Sequence, residues 1–260
     1  MPKVIHYCWF GGGPLPQLAQ ACLASWRTQC PDYEIRRWDE TNLDVQQCRF
    51  SREAIAAGAW AFVSDWARLR IVHDHGGIYL DTDVELVQPL DDLLHWQAFF
   101  GFQHDGTVAT GLGFGAEQGH RVVAALLAGY ETTSFVGTDG CPVKTPCPER
   151  DSVVFEQFGF RLDGSFQDRE GVAVLPPEYL CPKSFESGHV TITPLTHAIH
   201  HFQASWHTTA EAADVRRRRR YAQLFGLSLG ARIYRLDLRA RNRAAKCRLL
   251  PRVGTNDASR

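Results

Sequence analysis

The spacing of apolar residues along the chain alternates between two periods. Stretches in which apolar side chains recur every three or four residues predict amphipathic helices, and short apolar runs predict strands. The predicted helices cover 18–28, 52–61, a segment that begins at Ser64, and 121–130, and the predicted strands cover 4–9, 33–38, 78–80, 99–103, 111–115, 172–175 and 198–202. Strands that alternate with helices predict an α/β class, with a mostly parallel sheet flanked by helices on both faces.

The most distinctive segment is 64–85, which reads SDWARLRIVHDHGGIYLDTDVE. A predicted helix passes through two glycines into a short apolar strand that ends at Asp81 and Asp83. Side chains two residues apart on a strand point to the same face, so we expect both carboxylates to project together. Such a pair suits a hard divalent cation that completes its shell with substrate phosphates. Surface turns also produce D-x-D pairs, but the adjoining apolar strand favours a site, since strand ends carry the sites of α/β folds.

The chain resembles the glycosyltransferases that contain the D-x-D sugar-binding region, in four motifs that follow the family's order. Segment 64–85 matches the pattern S-D-x-x-R…G-G-I-Y-x-D-x-D, and 2–12, PKVIHYCWFGG, is similar to the family's first strand. Residues 31–39, PDYEIRRWD, and 200–206, HHFQASW, resemble two further family motifs. Relatives include fungal initiating mannosyltransferases, bacterial capsule and lipopolysaccharide transferases and, more distantly, the large glucosylating toxins. The resemblance implies a GT-A-type, Rossmann-like fold and metal-dependent sugar transfer from a nucleotide-diphosphate sugar.

The resemblance also implies roles for residues of the segment 64–85. Asp83 is expected to bind the metal most directly, and Asp81 to contact both the metal and the donor. Asp65 and Arg68 are expected to line the donor pocket, although their spacing of three also fits a local salt bridge on an exposed helix. These four are the expected catalytic residues. Tyr79 is expected near the donor, and it also fits a buried strand position.

Residues from both ends of the chain are expected to complete this site. By resemblance, Trp9 stacks on the nucleotide base, although a core position would also explain it. Relatives supply a third metal ligand late in the chain; the candidates are His200 and His201, between which the sequence does not decide. Ser205 and Trp206 are expected to close over the diphosphate as hydrogen-bond donors. A mixed carboxylate and imidazole set favours Mn²⁺, with Mg²⁺ as the alternative.

Charge divides the chain into two parts. Residues 1–213 carry a net charge of −12 and residues 214–260 carry +11, which predicts a catalytic domain followed by a basic, partly amphipathic helical tail. Five consecutive arginines at 216–220 precede apolar residues at helical spacing. We therefore expect 214–247 to contact an anionic membrane surface; packing of its apolar side on the catalytic domain is the alternative. No nucleic-acid partner is expected, because no aromatic-bearing binding motif accompanies the arginines.

The location of the protein is predicted from what its sequence lacks. It has no run of about 20 apolar residues and no N-terminal basic region followed by an apolar run. This predicts a cytoplasmic protein, peripheral on the inner face of a membrane if the tail binds lipid. The eight cysteines are then expected to be reduced thiols.

The expected function is glycosyl transfer to a glycan or lipid-linked acceptor in bacterial surface-polysaccharide synthesis, with retention of configuration by resemblance. The Pro- and Gly-rich segment 137–150 departs from the family pattern and is expected to form a loop that shapes the acceptor site. One alternative function is another nucleotide-handling enzyme, a nucleotidyltransferase or phosphohydrolase. It would usually show a Gly-rich loop with a basic residue, whereas the glycines at 11–13 precede Pro-Leu-Pro. A non-catalytic adaptor that acts through the basic tail is the third, and it leaves the D-x-D pair unexplained.

Overall fold

The computed structural model describes residues 1–203 and 209–249. The chain forms two compact units: one comprises Met1–Ser184 and the segment that starts at His189, and the other comprises Phe185–Gly188 and the C-terminal helices. The strands are β1 (Val4–Cys8), β2 (Glu34–Trp38), β3 (Gly77–Tyr79), β4 (Val84–Leu86), β5 (Ala98–Gly101), β6 (Phe114–Ala116), β7 (Gln167–Arg169), β8 (Val172–Leu175) and β9 (Ala198–His200). The helices are α1 (Gln17–Gln29), α2 (Arg49–Ala56), α3 (Trp60–His75), α4 (Arg121–Glu131), α5 (Cys147–Gln157), α6 (Pro177–Leu180), α7 (Thr209–Phe225) and α8 (Leu227–Leu249).

The first unit is built on a seven-stranded sheet in the order β2-β1-β3-β6-β5-β8-β7. Strand β1 pairs in parallel with β2 and β3, and β5 pairs in parallel with β8. Strand β6 runs antiparallel to both β3 and β5, and β7 runs antiparallel to β8. Five strands therefore point in one direction, with β6 and β7 reversed. The predicted α/β architecture with a mainly parallel sheet is confirmed.

Helices cover both faces of this sheet. Alternation along β8 shows the two layers: Val172 and Val174 belong to a core cluster with apolar residues of α2, α3, α4 and α5, whereas Ala173 and Leu175 belong to one with α1. A strand buried on both faces must be apolar at successive positions, which explains the continuous apolar run of β8.

A second, two-stranded sheet joins β4 to the late strand β9 in antiparallel register. Trp26 of α1 fixes β4 in place, because its Nε1 donates a hydrogen bond of 2.7 Å to the carbonyl oxygen of Val84. This small sheet returns residues near position 200 to the connection between β3 and β4.

Several predictions differ from the structure. The predicted helix at 52–61 ends at Ala56, and its last two residues, Trp60 and Ala61, already belong to α3. The predicted strand at 111–115 begins only at Phe114, because Thr110–Leu112 forms a 3₁₀ turn that ends at Gly113 with a φ of 110°. Helix α5 was not predicted, since 137–150 is rich in proline. Its Pro148 lies in the first helical turn, where the missing N–H removes no helical hydrogen bond.

The second unit is dominated by an antiparallel hairpin of α7 and α8. The turn is at Gly226, whose φ is 76°. The helix backbones come close at Gly230, where an added Cβ would lie 2.5 Å from the carbonyl oxygen of Tyr221. The predicted boundary between residues 213 and 214 falls inside α7. Among the described helices, none combines the length and apolarity needed to cross a bilayer.

Candidate active site

A pair of glycines lets the chain pass from α3 directly into the sheet. Gly76 and Gly77 have φ values of 65° and 98°, which other residues rarely adopt. A Cβ on Gly77 would lie 2.9 Å from the carbonyl oxygen of Val4 in β1. Strand β3 can therefore pair with β1 only because this position has no side chain. Fully buried along its length, β3 then leads toward Asp81.

Two carboxylates and one imidazole meet beyond the end of β3. Asp81 and Asp83 lie in the turn between β3 and β4 rather than on a strand, which corrects the expected strand geometry. His200 ends β9, where its register partner is Val84 of β4. One oxygen of each carboxylate and one nitrogen of the His200 ring all lie within 4.8 Å of one another. The small sheet thus joins two distant parts of the chain in one cluster.

The two adjacent histidines contact different partners. His200 Nε2 lies 3.3 Å from Asp83 Oδ1. His201 Nε2 instead lies 2.8 Å from Glu85 Oε2, and its Nδ1 lies 3.4 Å from Lys183 Nζ. The structure therefore brings His200, rather than His201, to the two carboxylates.

Burial and neighbouring charges act in opposite directions on this cluster. Burial raises the pKa of Asp83, but His200 and the backbone N–H of Gln203, which donates to Asp83 Oδ2 at 2.7 Å, together hold that pKa well below its usual range. Burial lowers the pKa of His200, and Asp83 more than reverses this shift. Burial raises the pKa of Asp81, against the opposing effect of Arg68. Asp83 is therefore a persistent anion in the cluster.

Arg68 joins this cluster to a buried ion pair. Its Nη2 lies 2.5 Å from Asp65 Oδ1 and 3.5 Å from Asp81 Oδ1, and its guanidinium lies 5.3 Å from the ring centroid of Tyr79. The Tyr79 hydroxyl donates a 3.0 Å hydrogen bond to Asp81 Oδ1. Because the Arg68 side chain is only 4% exposed, the alternative of an ion pair on an exposed helix is wrong. Burial raises the pKa of Asp65 to about 6, although Arg68 opposes this shift.

The 3₁₀ turn at Thr110–Leu112 borders the same cluster, and sequence reasoning missed it. A Cβ added to Gly111 would lie 3.0 Å from both Arg68 Nη1 and Asp81 Oδ2. Cys147, at the start of α5, places its Sγ 3.9 Å from Arg68 Nη1. No spacing in the sequence links these residues, since only packing brings them together.

Helix α5 holds that turn through a buried carboxylate. Asp151 Oδ2 accepts hydrogen bonds of 2.9 Å from both the backbone N–H and the hydroxyl of Thr110. Asp151 is fully buried, and burial raises its pKa to about 7 despite these bonds. Asp151 therefore supports the turn that contacts Arg68 and Asp81.

Three predicted site residues remain, and the structure describes only one of them, Trp9. Trp9 follows β1 and is half-buried, and its Nε1 donates a 2.6 Å hydrogen bond to the carbonyl oxygen of Gly13. The indole is thus held against the loop that follows β1. Ser205 and Trp206 fall outside the described residues.

The donor set fits a divalent cation. Asp81, Asp83 and His200 offer two carboxylates and an imidazole from one cluster, which suits Mn²⁺ and similar ions. The His200 ring places Nε2 3.3 Å from Asp83 Oδ1, and its buried Nδ1 has no hydrogen-bond partner among the described residues. The persistent negative charge of Asp83 adds to this fit.

Part of the chain is similar to a known protein family. Residues 16–100 match the family described as "Glycosyltransferase sugar-binding region containing DXD motif". Inositol phosphoceramide mannosyltransferase 3 of Schizosaccharomyces pombe is 31% identical over 111 residues, which cover 38% of this chain and 29% of that protein. The chain therefore spans less than a third of the length of this curated relative.

Solved structures similar to the chain include three glycosyltransferases. The PaToxG glycosyltransferase is 14% identical with a TM-score of 0.43, over 60% of this chain and 68% of that one. A glycosyltransferase involved in glycosylation of the major capsid of PBCV-1 is 13% identical with a TM-score of 0.43, over 79% and 95%. The galactosyltransferase LgtC is 13% identical with a TM-score of 0.39, over 82% and 93%. As the sequence motifs predicted, residues 16–100 match the DXD-containing sugar-binding region of glycosyltransferases.

Proposed function

We propose that the protein is a metal-dependent glycosyltransferase that moves a sugar from a nucleotide-diphosphate sugar to a glycan or lipid-linked acceptor. The observation that carries this proposal is the convergence of Asp81, Asp83 and His200 within 4.8 Å inside the matched sugar-binding region and its returning strand. Arg68, which contacts Asp81, adds a buried positive charge beside these ligands.

Each of these residues has a role in the proposed reaction. Asp81, Asp83 and His200 would hold the cation, for which we propose Mn²⁺ with Mg²⁺ as the alternative. A bound cation would neutralise the charge that develops on the leaving diphosphate. Arg68 holds the carboxylates of Asp65 and Asp81 in fixed positions, and its guanidinium can donate to the donor sugar or diphosphate.

The nucleotide and the diphosphate have further proposed contacts. Trp9 offers an aromatic face for stacking of the base. Ser205 and Trp206 stay as predicted donors to the diphosphate, on the strength of the family motif alone. Asp65 is proposed to accept hydrogen bonds from donor hydroxyls through the oxygen that does not contact Arg68.

We further propose that transfer retains the anomeric configuration through attack on the same face of the sugar. In a double displacement, a carboxylate would have to form a covalent bond to the sugar. Two buried carboxylates lie beside the cluster, and one oxygen of each is held by a neighbour, Asp65 Oδ1 by Arg68 and Asp151 Oδ2 by Thr110. Same-face attack requires neither of them, and a covalent sugar trapped on either carboxylate would contradict it.

The biological context is proposed from family resemblance. We place the enzyme in bacterial surface-polysaccharide synthesis, in the cytoplasm and peripheral on the inner face of the membrane. The name of the S. pombe relative includes mannose and a ceramide lipid. It therefore supports including mannosyl donors and lipid-linked acceptors in the experiments.

A donor screen tests the proposal. The melting temperature of the purified protein is measured with UDP-, GDP- and dTDP-sugars, with and without Mn²⁺. The same measurement is made on Asp83→Asn and on the control Asp168→Asn, which replaces an exposed carboxylate on β7. We expect a metal-dependent rise in melting temperature with one nucleotide class, lost in Asp83→Asn and kept in Asp168→Asn. A folded wild-type protein that responds to no nucleotide sugar would contradict the proposal.

A further inference from the structure

The turn of the C-terminal hairpin carries a cluster of exposed apolar side chains. Two of them end α7 and two lie at the start of α8, on either side of Gly226. They are Leu224, Phe225, Leu227 and Leu229, with exposed fractions of 63%, 46%, 52% and 51%. We call residues 224–229 the hairpin tip. Exposed apolar residues clustered in this way mark surfaces that bind another apolar phase or partner.

The hairpin is built so that this tip stays exposed. The backbones of α7 and α8 come into contact directly behind it, where Gly230 approaches the carbonyl oxygen of Tyr221 and Ala222 is buried. The N–H of Gly230 donates a 2.8 Å hydrogen bond to the carbonyl oxygen of Gly226, which fixes the start of α8. Next to this close contact, the four apolar side chains of the tip are each at least 46% exposed.

Helices α7 and α8 carry many arginines outside the hairpin tip. Some arginines are neutralised by acids of the same unit: Arg217 and Arg241 pair with Asp237, and Arg218 pairs with Glu186. Others are exposed and form no ion pair with the described residues. These are Arg216, Arg220, Arg232, Arg235 and Arg239. The hairpin therefore presents an apolar end and an uncompensated cationic flank.

We infer that the hairpin tip inserts into the interfacial layer of an anionic lipid bilayer while the unpaired arginines contact lipid phosphates. The partner is a lipid surface because exposed apolar side chains and unpaired arginines occur together. Apolar side chains partition into the acyl boundary of a bilayer, and arginines bind the anionic headgroups next to it. This mode differs from an amphipathic helix that lies flat along 214–247, since four of the five exposed large apolar side chains described in this unit lie at the turn and only Leu236 lies along α8. The inference does not depend on sugar transfer and is tested without it.

Vesicle flotation of the full-length protein tests this inference. Vesicles of phosphatidylcholine alone are compared with vesicles that contain about 30 mol% phosphatidylglycerol, at about 0.05 M and about 0.5 M salt. We expect binding to the anionic vesicles only, with a residual fraction at high salt that reflects the inserted tip. The triple variant Leu224→Ser/Phe225→Ser/Leu227→Ser is expected to bind the anionic vesicles with an affinity at least about tenfold lower.

A matched control removes the same number of exposed apolar residues from the first unit. Phe166, Ile192 and Leu195 are 49%, 60% and 43% exposed, and their replacement by Ser should leave flotation unchanged. The single variant Leu227→Asp places a negative charge at the tip with only one substitution and should also weaken binding. Circular dichroism and melting verify that each variant stays folded.

Three results would overturn the inference. The first is a wild-type protein that floats with neither kind of vesicle. The second is a folded triple variant that floats as well as the wild type, which would leave adsorption of the arginines alone. The third is a concentration-dependent dimer that the tip substitutions dissociate, without vesicle binding, because the tip would then join two copies of the chain.

Discussion

Gly111 lies directly against Asp81: a Cβ added to Gly111 would come within 3.0 Å of Asp81 Oδ2 and equally close to Arg68 Nη1. Gly111→Ala must therefore shift the carboxylate or the guanidinium by a few tenths of an ångström. Misplacement of this size in a catalytic cluster is expected to lower kcat/KM by about 10- to 100-fold. Steady-state kinetics with the donor from the nucleotide-sugar screen measures this.

The control for this prediction is Gly129→Ala on α4, where an added Cβ meets no atom within 4 Å. Its kcat/KM should equal that of the wild type, and its melting temperature should not fall, since Ala favours the helix over Gly. Wild-type kinetics in a folded Gly111→Ala protein would show that this turn does not border the reacting groups.

The ion pair between Asp65 and Arg68 predicts a large loss of stability when it is broken. Arg68→Met leaves the Asp65 carboxylate buried without its cation, and the free energy of unfolding should fall by about 3 kcal/mol. The double variant Asp65→Asn/Arg68→Met should recover part of this loss, because it removes the unpaired charge. Urea unfolding measures both values.

A second ion pair on the same helix serves as the control. Arg70 and Asp74 are each about a third exposed, so Arg70→Met should cost less than about 1 kcal/mol. If Arg68→Met and Arg70→Met were equally destabilising, the burial of Arg68 would have no energetic consequence and the account of this cluster would be wrong.

The buried carboxyl of Asp151 predicts a stability that depends on pH. Burial raises its pKa from the ordinary 3.8 to about 7, against the hydrogen bonds from Thr110. The folded protein thus binds this proton more tightly than the unfolded chain. The resulting stabilisation is complete below the unfolded pKa and is lost as pH rises through about 7.

Between pH of about 4 and 8, the free energy of unfolding of the wild type should therefore fall by about 1 to 3 kcal/mol more than that of Asp151→Asn. The difference between the two proteins is the relevant quantity, since Asp65 also has a raised pKa and acts with the same sign. Parallel profiles for the two proteins would contradict the prediction. The exposed Asp168→Asn should reproduce the wild-type profile.

The adjacent histidines form a natural pair of variants. His200 contacts Asp83, whereas His201 contacts Glu85. His200→Ala should lower metal-dependent activity by about 100-fold, and His201→Ala should lower it by less than about tenfold. Kinetics at several Mn²⁺ concentrations separates the two, because loss of a ligand raises the metal requirement. The reverse order of effects would assign the ligand to His201.

Most helices and strands of the first unit could be predicted because the sequence patterns that indicate them lie within each element. Buried strands such as β8 show continuous apolar residues, and the pair Gly76 and Gly77 marks the passage from α3 into β3. Helix α5 was not predicted because proline destabilises the interior of a helix. Pro148 instead lies in the first turn, where proline is tolerated.

Site residues could be predicted where a motif carries them and not where packing does. Asp81 and Asp83 were predicted from their spacing, but the turn that actually holds them follows from the pairing of β4 with β9. The choice of His200 also depends on that register, which no local pattern encodes. Gly111 and Asp151 belong to a turn and a helix whose meeting with Arg68 is a property of the packed core.

In the proposed site, Asp81, Asp83 and His200 hold the cation that binds the donor diphosphate. The most direct measurement is a Mn²⁺ titration followed by the electron paramagnetic resonance signal of the free ion, in the presence of UDP or GDP. We predict a saturable Mn²⁺ site in the wild type and in Asp168→Asn. In Asp83→Asn and His200→Ala, the affinity for Mn²⁺ should be at least about tenfold lower than in the wild type. Equal Mn²⁺ binding by the wild type and Asp83→Asn, or none by the wild type with either nucleotide, would contradict the account.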